Sequence, residues 1–231
     1  MLITFTIEFT LALVAFVRYK LSQKTIICIL TLVGLGIFQL AEYRICLAPG
    51  SGMFWAYVGF VAISLLPAFG LDFITLADHD RKRWVPVGYA LSAGVIFYMF
   101  YFSAIKAAVC GGNYVIFSMN HGFYTEFALY YLGLLCLGLV LALRDMMRAR
   151  KFGDRIKVQL YFWILVGYFS FLLPTGIIYL LSSQSFMGTA SVMCGFAIVF
   201  SFILFFKIIP ILMIVLSHHA HYRHTRKSAL V

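Results

Sequence analysis

Charge is what this sequence has least of, and acidic charge above all. Only 8 of its 231 residues are Asp or Glu and 11% are charged in all, against 63% hydrophobic. A soluble domain needs a polar shell around its core, so this composition excludes one. Strict alternation of polar and apolar residues is also absent, and with it the signature of barrel strands. There is no nucleophile motif, phosphate loop, metalloprotease helix or pair of catalytic carboxylates. We therefore expect no catalytic residue, no enzyme activity and no cofactor. What remains is a series of long apolar runs with a mean hydropathy of +0.98, the mark of an all-α integral membrane protein.

At about 20 residues per crossing, the length holds roughly seven helices and no sizeable soluble domain. Apolar runs bounded by charge or by Gly, Pro and Ser place the spans at about 2–19, 25–44, 53–76, 86–106, 122–143, 158–181 and 188–207. Residues 1–217 form the seven-helix domain in this reading, and 218–231 a short basic tail. Fifteen of the 18 Lys and Arg fall on one side, in the segments holding Arg18 to Lys24, Arg81 to Arg83, Arg144 to Lys157 and Arg223 to Lys227. The positive-inside rule makes that side cytoplasmic, with the N-terminus outside and the C-terminus inside a plasma or inner membrane. The run from Leu2 has no basic segment before it and no small-residue cleavage site after it, so the first helix is expected to be an uncleaved anchor. Residue 2 is Leu and the last four are "SALV", which predicts no lipidation. The net charge of +10 suits anionic lipid headgroups, and we do not expect nucleic-acid binding.

Cys28, Cys136 and Cys194 fall inside spans, where a thiol behaves as a small apolar group. Cys46 and Cys110 fall in the two loops on the non-cytoplasmic side, where oxidising conditions permit a bridge between them; two free thiols are the alternative. Glu8, Glu42, Arg44, Glu126 and His121 cluster toward the outer ends of spans or in the outer loops. With Tyr43, Lys106, Asn113, Asn120 and Tyr124 they could line an outward vestibule for a small ligand. The blander alternative is that each only snorkels or pairs locally at the interface. Asp72, toward the inner end of span 3, lies at the depth of Lys207 in span 7, which suggests an ion pair between them. Nineteen residues from Gly188 to Phe206 rise about 28 Å, so Lys207 is expected at the inner boundary, though a shift of two turns would bury it. Pro67 and Pro174 predict bends within spans 3 and 6, and Pro210 a bend after span 7. His218, His219, His221 and His224 in the tail lack any carboxylate or cysteine to complete a metal site, so no metal is expected.

Several stretches form a recognisable sequence of elements: "AEYR" closing span 2, "FWAYVGFVAISLLPAFGLDF" in span 3, "RARKFGDRIKVQ" leading into span 6, "LLPTGIIYLL" within it, and "IVFSFILFFKIIPI" closing span 7. Over roughly residues 1 to 212 this pattern resembles the N-terminal seven-helix sensor region of bacterial membrane histidine kinases. The resemblance implies reception of an extracytoplasmic or membrane-borne signal and its passage inward through span 7. Only 21 residues follow Pro210, too few for a kinase part. The expectation is a stand-alone sensor-like module that hands its signal to a separate protein, in contact with lipid and open to homo-oligomerisation. A retinal-type protein built on Lys207, a small transporter or channel using Glu8 and Asp72, and a structural subunit packed through Ala90 and Gly94 are the alternatives.

Overall fold

A computed structural model describes residues 1–47, 52–75, 84–111, 115–119, 121–181 and 189–215, with the backbone alone at 121, 178–181 and 189–192. The helices are α1 (Leu2–Arg18), α2 (Gln23–Leu47), α3 (Gly52–Thr75), α4 (Trp84–Tyr101), α5 (His121–Lys151), α6 (Arg155–Leu181) and α7 (Thr189–Ile203). The last continues through a π-helical turn, Leu204–Ile208, and on as α-helix to residue 215. Without water in the surroundings, a helix is the form in which an apolar segment satisfies its own backbone.

Local signals set the helix ends. Ser22 caps α2, its Oγ accepting from the Thr25 amide at 3.2 Å. Gly153, with φ 73°, closes α5 by taking the left-handed conformation, and the Asp154 amide reaches back to the Ala149 carbonyl at 3.0 Å. Asp154 then caps α6 by accepting from the Lys157 amide at 3.1 Å. The α5–α6 connection is thus three residues long and tightly specified.

Among the described residues six helices are long and apolar enough to cross a membrane, and the chain is a multi-pass helical membrane protein. The remaining helix, α1, has 17 residues and a length of about 25 Å. It packs on α2 and α7; α2 packs on α3; α3 also touches α4 and α5; and α6 joins α5 to α7, which closes the ring. The basic residues of α1, α5 and α6 share one end of the bundle. Arg81, Lys82, Arg83 and the tail from residue 218 lie outside the described residues.

The opposite end carries an element that the sequence reading lacked. Strands β1 (Ile105–Cys110) and β2 (Val115–Met119) form an antiparallel hairpin with a bulge between Ile105 and Ala107. The span expected to reach residue 106 stops at Tyr101, because the chain turns there through Ser103 at φ 45°. The hairpin packs on the ends of α2 and α3, with Phe117 against Phe38. A disulfide joins Cys46 to Cys110 with Cα atoms 5.1 Å apart and ties the hairpin to α2. Two further boundaries differ from expectation: α5 runs to Lys151 rather than 143, and the last helix passes Lys207 and Pro210 to reach 215. Pro210 therefore lies inside a helix and does not end it.

Reduction of the bridge, which spans 64 residues, removes at most about 4 kcal/mol by the chain-entropy estimate, and less while α3 and α4 stay in the membrane. We expect Cys46→Ser to lower the melting temperature and to raise hydrogen exchange in 105–119 while α5 and α6 keep their protection. Equal loss of protection across the bundle would contradict this local role.

Candidate functional site

Glu8 is the most fully buried carboxyl group among the described residues. Its side chain is 0% exposed, between α1, α2 and α7. Ten residues separate it from Arg18, about 15 Å along the helix, which is half the thickness of a hydrocarbon core. The sequence reading placed it toward the outer end of its span. The difference arises because α1 is short and begins below the level at which α2 ends.

Gly36 of α2 faces this point of α1: a Cβ there would lie 3.8 Å from the Glu8 Cβ and 3.6 Å from the Phe5 ring, in ordinary van der Waals contact. From α7, the Ser201 hydroxyl lies 3.3 Å from Glu8 Oε1 and 3.1 Å from the Ala197 carbonyl and shares its one proton between them. Glu8 Oε2 finds no hydrogen-bond partner among the described residues. One turn toward the hairpin end, Thr4 donates to Gln39 Oε1 at 3.0 Å. Glu42 is buried as well, and the Cys194 thiol of α7 is within electrostatic reach of both Glu42 and Glu8. A polar seam therefore runs along the α1–α2–α7 contact.

Beside the seam is a small central cavity of ≈ 50 Å³ lined by Cys194, Phe200, Tyr131, Tyr168, Phe73 and Leu35 among others. It has room for a few waters. Tyr168 enters it between α3 and α5, where Gly70 and Gly138 leave space for its hydroxyl.

Of the five vestibule candidates, the four with described side chains do not assemble. Glu8 and Glu42 belong to the seam, whereas Arg44 is exposed with its guanidinium 5.4 Å from the Trp55 ring centre. Glu126 is exposed on α5, and the side chain of His121 lies outside the described residues, as do Asn113 and Asn120. Asp72 and Lys207 are not partners. The Tyr89 hydroxyl of α4 donates to Asp72 Oδ2 at 3.1 Å, and Lys207 Nζ lies 5.3 Å over the Trp163 ring of α6. Their matching depth reflects position along two helices that face different neighbours.

Lys207 is exposed and near the basic end, since its neighbour Phe205 meets Tyr19, the residue after Arg18, at 6.1 Å. It does not line the central cavity. Pro67 and Pro174 both fall inside helices. Near Pro67 the Tyr130 hydroxyl of α5 donates to the Ser64 carbonyl, and Ser92 of α4 lies 2.6 Å from the same hydroxyl. This polar staple, like the Ser201 contact, was missed because the sequence reading weighed charges inside spans and passed over serine and tyrosine.

The bundle and its seam define a multi-pass helical membrane protein with a buried carboxyl at mid-depth. No protein-family model matches the chain, and no curated protein is similar to it. The resemblance to kinase sensor regions therefore rests on the residues quoted for it.

A methyl group at position 70 would collide with the Tyr168 hydroxyl, whereas one at position 94 would meet nothing within 4 Å. Gly70→Ala is expected to destabilise the purified protein by about 1–3 kcal/mol and Gly94→Ala to be neutral, as read by thermal unfolding in detergent. Tyr168→Phe should recover part of the Gly70→Ala loss, and strict additivity of the two changes would show that they do not meet.

Proposed function

We propose that the chain is a seven-helix membrane sensor or receptor-like module, with α1 as its seventh crossing, the hairpin end outside and the basic end in the cytoplasm of a cell whose plasma or inner membrane it occupies. It receives an extracytoplasmic or membrane-borne signal and passes it to a separate protein. The observation that carries this reading is the Glu8–Ser201 contact at mid-depth. A buried polar contact between α1 and α7 that leaves one oxygen unpartnered is costly where an apolar pair would pack freely. Such a contact suits a junction that exchanges between two packings, because neither arrangement is then overwhelmingly favoured.

The anchored hairpin supports the same reading: it gives the outer end a fixed cap on α2 and α3. Movement of α7 relative to α1 would emerge at residues 205–215, beside the basic loops through which a partner could be met. The proline positions in α3 and α6 are compatible with bending, and the retinal alternative gains nothing from an exposed Lys207 outside the cavity. A transporter reading draws on the same mid-depth carboxyl and is the one to be separated by experiment.

Loss of one interhelical hydrogen bond of about 0.6 kcal/mol shifts a two-state equilibrium about threefold. With a photo-crosslinking residue at Met213 in cells, we expect one stoichiometric partner, and a change of that order in its capture in Glu8→Gln or Ser201→Ala. Glu8-dependent proton uptake by proteoliposomes, with partner capture indifferent to both substitutions, would replace the sensor reading with transport.

A further inference from the structure

At the basic end, a groove of ≈ 580 Å³ opens on the outer flank of α5 and α6, lined by Met146, Met147, Arg150, Arg155, Gln159 and Phe162 among others. Its chemistry is divided by depth. Arg150 and Arg155 stand at the α5–α6 turn, one on either side of the left-handed Gly153, so the short connection holds two guanidinium groups at one end of the groove. Met147 and Phe162 continue it along the spans toward the membrane centre and are 62% and 50% exposed, so an apolar floor faces the hydrocarbon. The acidic groups nearby do not oppose an anion there. Asp154 is held by Lys157 at 3.2 Å and by the cap of α6, and Asp145 is buried and engaged.

We infer that this groove is a binding site for an anionic phospholipid of the leaflet that meets the basic end, its phosphodiester held by Arg150 and Arg155 and one acyl chain lying along Met147 and Phe162. Guanidinium groups match phosphate geometry with paired donors, and Gln159 adds an amide at the same rim. The division into a cationic head site and an apolar trough continuing into the span fits a lipid better than an acidic peptide, which would have to leave water to reach Phe162. Methionine side chains at the floor adapt to a mobile chain. The inference does not depend on the sensor reading, because it uses neither Glu8 nor α7.

Trp163 is the reporter, its ring 5.6 Å from that of Phe162. In a Trp55→Phe/Trp84→Phe background, the protein is placed in nanodiscs of phosphatidylcholine doped with phosphatidylglycerol, with acyl bromines on one lipid or the other. Two basic residues at the surface predict a preference of the order of tenfold for the anionic lipid, seen as stronger quenching of Trp163 by brominated phosphatidylglycerol. Arg150→Gln/Arg155→Gln should abolish the preference, while Arg144→Gln/Lys151→Gln, the same loss of two charges on exposed neighbours that do not line the groove, should keep it. Equal quenching by both lipids would overturn the site. So would equal loss in Arg144→Gln/Lys151→Gln, which would reduce the effect to general surface charge. Arg144, Arg150, Lys151 and Arg155 are all surface groups, and retention of the Cys46–Cys110 bridge on a non-reducing gel checks that each variant is folded.

Discussion

Hydrocarbon offers no hydrogen bonds, and that constraint organises this molecule. Each polar side chain within the bundle has to be answered by the chain itself. Many are answered locally: Thr31, Ser92, Thr175 and Ser201 each donate to the carbonyl four residues earlier in the same helix. A smaller set reaches across helices, and those contacts fix which helices meet at which level. Tyr130 binds α5 to the α3 backbone just before Pro67, Tyr89 binds α4 to Asp72, and Ser201 binds α7 to Glu8. Interhelical hydrogen bonds in membranes average only about 0.6 kcal/mol. Their main effect is therefore on register rather than on total stability.

Stability has to come from contact, since lipid tails are as apolar as the helix faces and there is no hydrophobic drive between helices. Small residues provide it. Gly59 of α3 brings its backbone against Ala41 and Phe38 of α2, where a Cβ would lie 3.1 Å from the Ala41 methyl. Further along α3, the absence of a side chain at Gly70 admits the ring of Tyr168 from α6. The two devices work in opposite senses, one letting backbones approach and the other letting a large ring enter. Together they explain how α3, the helix with neighbours on most sides, is packed along much of its length.

How far the sequence spoke depended on the kind of signal. Long apolar runs are compositional, so the membrane class and most spans were legible, as was the bridge between the only two cysteines outside the spans. The hairpin was not, because "IKAAVC" and "VIFSM" are too short and apolar to be told from helix ends or loops by periodicity. The sequence reading took Glu8 for a vestibule candidate toward the outer end of its span rather than for a buried group, and partners are set by rotation about each helix axis, which depth alone does not give. Asp72 and Lys207 illustrate this: equal depth suggested a pair, while their faces lead to Tyr89 and Trp163. Ser201 was invisible because a serine in a greasy helix carries no signal until its neighbour is known.

The last helix joins the two ends of this description. Its contacts with α1 include the Ser201–Glu8 bond at mid-depth and the Phe205–Tyr19 contact near the basic end. The second of these lies within the π turn, Leu204–Ile208, which begins three residues after Ser201. A π turn carries more than an α-helical share of residues per turn, so it re-aims the faces that follow it. Ile208 at its end and Ile209 and Leu212 beyond it are buried, while Lys207 is left outside over Trp163. Rotation of α7 sufficient to bring Lys207 inward would carry Ser201 away from Glu8, because both ride on one continuous helix. The polar contact at mid-depth and the direction in which the basic end of α7 faces are thus mechanically one choice.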